Sequence, residues 1–205
     1  MERGPDTAAR PAGPDPRPGA KTDFGALFKA SARSLWLVAF GVVQDAALAE
    51  DVVQEAALVA LSKLEEFRPG TNFAAWMARI VQFVARNQVR ARRRRRTVGL
   101  ESAAREVVAT QTPATGAELL GSGPLPADQL HFDDRVSAAL QRVATVPRMC
   151  LMLRTIDGLE YAEISRLLGI PAGTAMSHVH RSRQFLRQTL ADLKPPGLEV
   201  QAPPS

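Results

Sequence analysis

Apolar residues recur along this chain at helical spacing in two blocks, and strand-like alternation of useful length is missing. In the first block the pattern predicts three helices. One covers about Phe24–Val43, with apolar positions at Leu27, Phe28, Leu35, Val38, Ala39 and Val42. A second covers about Leu48–Phe67 and turns Val52, Val53, Ala56, Ala60 and Leu64 inward. Asn72 is placed to cap a third, which opens Phe73-Ala74-Ala75-Trp76 and holds Trp76, Met77, Ile80 and Val84 on its inner side. The second block ends in two helices with a tight break between them. Tyr161, Ile164, Leu167 and Leu168 form one stripe, and Gly169 follows where a left-handed residue is wanted. Pro171 suits the start of the next helix because its missing N–H is not needed there. That helix packs through Ala175, Val179, Ser182, Leu186 and Leu190.

Between and around these blocks the period is lost. Residues 1–21 are rich in Pro, Gly and Ala and should be disordered. Residues 97–130 gain Gly, Pro, Thr and Ser and read as a linker, with at most a helical turn near residues 101–108. The helical blocks are residues 22–96 and 131–194, and residues 195–205 form a tail that reads as a spacer. Two units of this size are small, but each can fold as a helical unit.

Charge and composition narrow the class. The 205 residues carry a net charge of +5, which favours an acidic partner such as nucleic acid. One cysteine, Cys150, leaves no internal disulfide; it sits in an apolar stretch and reads as a core residue. No apolar run approaches the roughly 18 residues of a membrane span, and no signal peptide opens the chain, so a cytoplasmic protein without membrane insertion is expected. His131, His178 and His180 make no metal-ligand spacing, and the last two do not share a helix face. No Gly-rich phosphate loop follows a strand. Neither metal, cofactor nor enzymatic activity is expected.

Three surfaces remain as candidates for chemistry. The last helix carries Thr174, Ser177, Arg181, Gln184 and Gln188 opposite its packing face, with His178 on the flank. No acid intervenes between Glu163 and Asp192, and a polar face without carboxylates suits phosphates and base edges. A helix–turn–helix followed by such a face is commonly laid in the major groove, although a solvated amphipathic helix would show the same pattern. The third helix of the first block runs into Arg86–Arg96, seven arginines in eleven residues with no acid. Such a run cannot be balanced locally and is suited to a phosphate backbone. The outer face of the second helix holds Asp51, Gln54, Glu55 and Leu58, which by itself fits a solvated face or a protein-binding one.

The order of these motifs resembles the extracytoplasmic-function (ECF) group of bacterial sigma factors, within the sigma-seventy family. Ala49-Glu50-Asp51-Val52-Val53-Gln54-Glu55 matches the family's AEDLVQE, and Phe73-Ala74-Ala75-Trp76-Met77-Ala78-Arg79-Ile80 its FRAWLYRI. Glu160-Tyr161-Ala162-Glu163-Ile164 stands for SYEEIA, and Gly169-Ile170-Pro171-Ala172-Gly173-Thr174-Ala175-Met176-Ser177-His178 for GIPVGTVKSR. The chain departs from the pattern at Phe83, Asn87, Ala175, His178 and the run Val146-Pro147-Arg148-Met149-Cys150, which touches promoter preference more than class.

The resemblance implies an all-α fold: two small domains, region 2 and region 4, joined by a flexible linker. It implies a transcription initiation factor that binds core RNA polymerase and promoter DNA and is held in check by an anti-sigma factor. Asp51, Gln54 and Glu55 would then dock on polymerase, which turns the solvated reading of that face into the weaker one. Arg68, Asn72, Arg79, Phe83, Arg86, Asn87, Arg90 and Arg93 would hold the −10 element and aid melting, while the linker crosses the polymerase interior. Thr174, Ser177, His178, Arg181 and Gln184 would read the −35 element. Trp76 could wedge into DNA, but Phe73, Met77 and Ile80 around it favour a core role. The competing class is a helix–turn–helix regulator that acts without being a polymerase subunit, and it would need a sensory first block of which no strand is visible. An RNA-binding protein could use the arginine run but would not need the Asp51/Gln54/Glu55 face.

Overall fold

A computed structural model of the chain describes residues 23–99 and 133–192, with residues 96–99 and 192 described by backbone alone. The expected N-terminal extension, the linker beyond residue 99 and the tail lie outside the described residues. Within them the secondary structure is helical throughout: α1 (Phe24–Val43), α2 (Ala46–Ser62), α3 (Phe73–Gly99), α4 (Asp134–Gln141), α5 (Thr145–Thr155), α6 (Tyr161–Leu168) and α7 (Ala172–Asp192). A single 3-10 turn, Leu64–Glu66, follows α2.

Short polar side chains set the helix starts. Asp23 accepts from the Ala26 N–H at 3.0 Å, Asp45 from Leu48 at 2.9 Å and Asn72 from Ala75 at 2.9 Å, each satisfying a donor the first turn leaves unpaired. Between α1 and α2 the chain reverses through Gln44, a non-glycine residue at φ 58 whose N–H closes on Phe40 O at 2.8 Å. The second helix ends at Ser62 rather than near Phe67. The tighter turn that replaces its last residues folds Phe67 back onto Phe73 and Trp76, with ring centroids 5.5 and 5.3 Å apart. At its far end α3 continues to Gly99, three residues beyond the expected boundary.

α1 is the centre of the molecule. Leu35, Trp36, Leu37, Val38 and Ala39 are all fully buried, and five successive residues at 100° each cover the whole circumference of a helix. A one-sided stripe cannot describe such a segment, so Trp36 and Leu37 were not among the expected core positions, while Leu27, which was, is exposed. α2 and α3 cover part of α1, and α5 of the second block covers the rest. By length and hydropathy α1 also qualifies as a candidate membrane span, which the expectation above had missed. Its buried central turns show how that hydropathy is used here, as the core of a helical assembly.

The two blocks are in contact. Gly41 of α1 lets α5 approach so closely that a Cβ at that position would lie 2.5 Å from Met149 Cγ and 3.4 Å from Met149 Cα. α6 lies against α3. Cys150 is fully buried as expected, and burial pushes its thiol up to about 11, so it remains protonated and inert.

The α2 cap gives a measurable pH signature. The Leu48 N–H bond, together with Arg92 beside it at 3.2 Å, holds the Asp45 carboxyl below its ordinary value, against a smaller opposing effect of partial burial. A depressed carboxylate stabilises above its unfolded pKa, and that stabilisation is lost as pH falls through the folded value. Asp45→Ala should therefore lower the unfolding free energy by about 1 kcal/mol at pH 7. In urea titrations the gap between parent and variant should narrow once the pH drops below 3.8; a gap undiminished at pH 3 would mean the carboxylate charge plays no part.

Candidate nucleic-acid and polymerase interfaces

On α3 the side chains sort by angle. Met77, Ala78, Val81, Val84 and Ala85 are buried toward α1 and α2. Arg79, Phe83, Arg86, Asn87, Arg90 and Arg93 are all exposed. At 100° per residue these six lie within one face, and from Arg79 to Arg93 the stripe runs about 21 Å along the helix. Arg68 and Asn72 stand exposed at its N-terminal end. Asn72 spends its side chain on the cap, so its oxygen is already engaged. Arg86 is steadied by its Nε–H donating to Gln82 O at 2.9 Å.

The arginine run finds a counter-charge at long range in the sequence. Arg92 points away from the stripe and pairs with Asp45 at 3.2 Å, a partner 47 positions back in the chain. That pairing anchors the C-terminal half of α3 to the start of α2. Trp76 is half-buried and packs against Phe67 and Phe73, which supports the core reading over the wedge. Phe83, 59% exposed in the middle of the stripe, is the aromatic ring free to stack on a base.

The outer face of α2 is arranged as the sequence spacing suggested. Asp51 and Glu55 are exposed and Gln54 is half-buried. Leu58 and Leu61 beside them are 53% and 39% exposed, so the acidic patch borders an apolar one. Glu55 accepts from Gln88 Nε2 of α3 at 2.7 Å, linking this face to the edge of the arginine stripe.

The helix–turn–helix is held from both sides. Glu160 N–H donates to Glu163 at 2.7 Å as a capping box for α6. Gly169 ends the helix at φ 68, its N–H closing on Ser165 O at 2.9 Å. Pro171 lies one residue outside α7, and its carbonyl accepts the first bond of that helix from Ala175. Arg154 clamps the preceding turn: its Nη1 reaches Leu159 O at 3.0 Å and Glu160 Oε1 at 2.8 Å, and its guanidinium lies over the Tyr161 ring.

On α7, Ala175, Val179 and Ser182 are buried against the rest of the block, as expected, while Leu186 and Leu190 of the same expected face are only half-buried. Arg181 and Gln184 are exposed, whereas Thr174, Ser177 and His178 are half-buried. The sequence reading missed a neighbour of this face. Phe185 falls between His178 and Arg181 in angle and carries the Arg142 guanidinium at 5.4 Å from its ring centroid. Arg142 belongs to the end of α4, outside the helix–turn–helix, and no periodicity could have placed it there. Stacking uses the face of a guanidinium and leaves its in-plane N–H groups for a phosphate. Among the described residues no three His, Cys, Asp or Glu converge as a metal site.

The geometry sets three surfaces apart: an exposed arginine stripe on α3, a polar face without acids on α7, and an acidic face on α2 bordered by exposed leucines. Sequence comparison gives the chain a family. Sigma-70 region 2 matches residues 27–95 and sigma-70 region 4 matches residues 133–186. The chain is 31% identical to the RNA polymerase sigma factor CarQ of Myxococcus xanthus, over 87% of this chain and 95% of that one. It is also 31% identical to the ECF RNA polymerase sigma factor EcfG of Rhodopseudomonas palustris, over 78% and 81%. The fold resembles that of the sigma factor RpoE solved in complex with the anti-sigma factor NepR from Bartonella quintana, with TM-score 0.51, 24% identity and coverage of 82% and 97%. The chain belongs to the ECF sigma factors. As a member it is a transcription initiation factor that works with RNA polymerase at promoters, and the regulator reading without a polymerase is set aside by the region 2 match.

The α3 stripe makes a quantitative claim about salt. Each cation that neutralises a phosphate releases counterions, so the affinity for DNA falls with salt in proportion to the number of contacts. Replacing Arg79, Arg86 and Arg90 together by alanine should reduce the slope of log K against log salt by about 2–3. All three are exposed, so helicity should be unchanged; an unaltered slope would place the stripe away from the DNA.

Proposed function

We propose a division of labour among these three faces. The α2 face of Asp51, Gln54 and Glu55, bordered by Leu58 and Leu61, docks on core RNA polymerase. The α3 stripe and the Arg68–Asn72 loop hold the −10 element, with Phe83 receiving a base that has left the stack. Unstacking a base costs a few kcal/mol, and backbone contacts from Arg79, Arg86, Arg90 and Arg93 offset it. α7 enters the major groove at the −35 element with Arg181 and Gln184 foremost and Ser177, His178 and Thr174 nearer the floor. Arg142, stacked on Phe185, grips an adjacent phosphate. The protein acts in the bacterial cytoplasm, and an anti-sigma factor, a partner of the kind solved with RpoE, covers these faces when the factor is idle.

The observation that carries this reading is the separation of charge on the first block. α3 exposes a face of arginines without acids, and α2 beside it exposes acids and two leucines without a cation. DNA and polymerase can thus be bound at once by adjoining surfaces of opposite charge.

Two substitutions test it. Glu55→Lys should cut co-purification with core polymerase at least tenfold while circular dichroism stays unchanged; a folded variant that co-purifies at the parental level rules out this docking face. Arg181→Ala should weaken binding of the holoenzyme to its promoter by the equivalent of about 1–3 kcal/mol, the range of one good bidentate base contact. Titration on a promoter fragment decides it, and parental affinity would mean α7 does not sit in the groove as described.

A further inference from the structure

The two helices proposed to read DNA, α3 and α7, are held close together through α6 in this structure, and the distance between their targets does not allow that on a promoter. Elements named −10 and −35 are separated by about 25 base pairs, which at about 3.4 Å each spans about 85 Å. Here α6, the first helix of the helix–turn–helix, lies directly against α3, and α7 packs on α6. The side of the α3 stripe that carries Arg86 and Arg90 faces a cleft whose other wall is Thr145, Val146 and Met149 of α5. The chain between α3 and α4 can stretch to about 110 Å when extended, so an open arrangement is within reach.

A small set of groups holds the closed one. Asp157, in the turn after α5, pairs with Arg33 Nε of α1 at 3.2 Å and accepts from Ser34 Oγ. Arg33 Nη2 donates in addition to Ile156 O at 3.1 Å. The Asp157 side chain is only 12% exposed, so its charge is largely withdrawn from water, and Arg33 and Ser34 both bond to it. One helical turn or more further along α1, the missing side chain of Gly41 admits Met149. Charge pairing at one end and close approach at the other fix α5 along α1.

We propose that this α1–α5 contact is an intramolecular latch: Asp157 clasped by Arg33 and Ser34, with Met149 seated on Gly41, keeps the free factor closed, and the latch must open before both promoter elements can be engaged. Closure thus competes with the productive form, and the apparent affinity for polymerase is reduced by the fraction of molecules that is open. That last consequence rests on the polymerase-docking reading; the existence of the latch does not.

The test uses the full chain. Cysteines are introduced at the exposed positions Glu65 of the first block and Gln141 of the second and labelled as a fluorescence-transfer pair; Cys150 is fully buried and does not react. The parent should show high transfer. Asp157→Ala and Arg33→Ala should each lower it, as should Gly41→Leu, which wedges α5 away. If Gly41→Leu fails to fold by circular dichroism, the two clasp variants, which alter no core packing, still decide. Transfer unchanged in the folded variants overturns the latch. Unlabelled Asp157→Ala should bind core RNA polymerase at least threefold more tightly than the parent. Lower transfer with unchanged or weaker polymerase affinity overturns the competition. If neither chain binds polymerase, the docking reading falls and the transfer measurement still settles the latch.

Discussion

Burial of α1 on every side is the constraint from which the arrangement follows. A helix whose residues Leu35–Ala39 are all inaccessible needs neighbours around its whole circumference. α2 and α3 occupy two sides, and only a helix from outside the first block can occupy the third. α5 does so, and it can come close because Gly41 offers no Cβ. Transfer of these side chains from water is worth roughly 1.5–3 kcal/mol each, far more than the exposed ion pairs elsewhere on the surface can supply. The orientation of α3, and with it the direction of the arginine stripe, is thus set by apolar packing beneath it. The same packing leaves a cost: the Trp36 Nε1–H is buried with no hydrogen-bond partner among the described residues.

The exposed arginines have the opposite character. Arg86 of the α3 stripe is steadied by Gln82, and like charges on successive turns repel at low salt. The fold tolerates them because they lie on the side of α3 that packing does not use, and because Arg92 and Asp45 tie the helix down on the other. Like charge gathered on one face does not help the folded state. It is stabilised when a polyanion displaces the counterions, so its presence is evidence of a partner rather than of a structural role.

How much of this was legible in sequence depends on whether each feature is local. The α1 bounds, the Asn72 cap and the Gly169 break follow from spacing within a few residues and stand as read, as does the first half of the α7 packing face; toward its end Leu186 and Leu190 are only half-buried and Thr189 is buried instead. The end of α2 was misjudged because the 3-10 turn answers to the aromatic cluster of Phe67, Phe73 and Trp76, not to its own periodicity. Trp36 and Leu37 were missed since a stripe presumes one dry face. Arg92 with Asp45, Gln88 with Glu55, and Arg142 with Phe185 link residues distant in sequence, and no pattern within one helix announces them. The contact between the blocks is of that kind too. Individual side chains on the α3 and α7 faces could be named from angle alone, but their depth could not: Ser177 and His178 proved half-buried where Arg181 is exposed.

Arg148 shows how a buried charge can serve a surface some distance away. It is 3% exposed, and desolvation lowers its guanidinium to about 10, which still leaves it protonated at neutral pH. Its Nε and Nη2 both donate to Val143 O, at 3.2 and 2.6 Å, and Nη1 has no partner among the described residues. A charge in that position is costly relative to an apolar side chain, so its retention calls for a structural reason. Val143 closes the short connection from α4 to α5, and Arg142 immediately precedes it. By fixing the Val143 carbonyl, Arg148 fixes the direction in which Arg142 leaves the backbone, and hence its seat on Phe185 beside the α7 face. A guanidinium in the core thereby holds a second guanidinium on the Phe185 ring of α7.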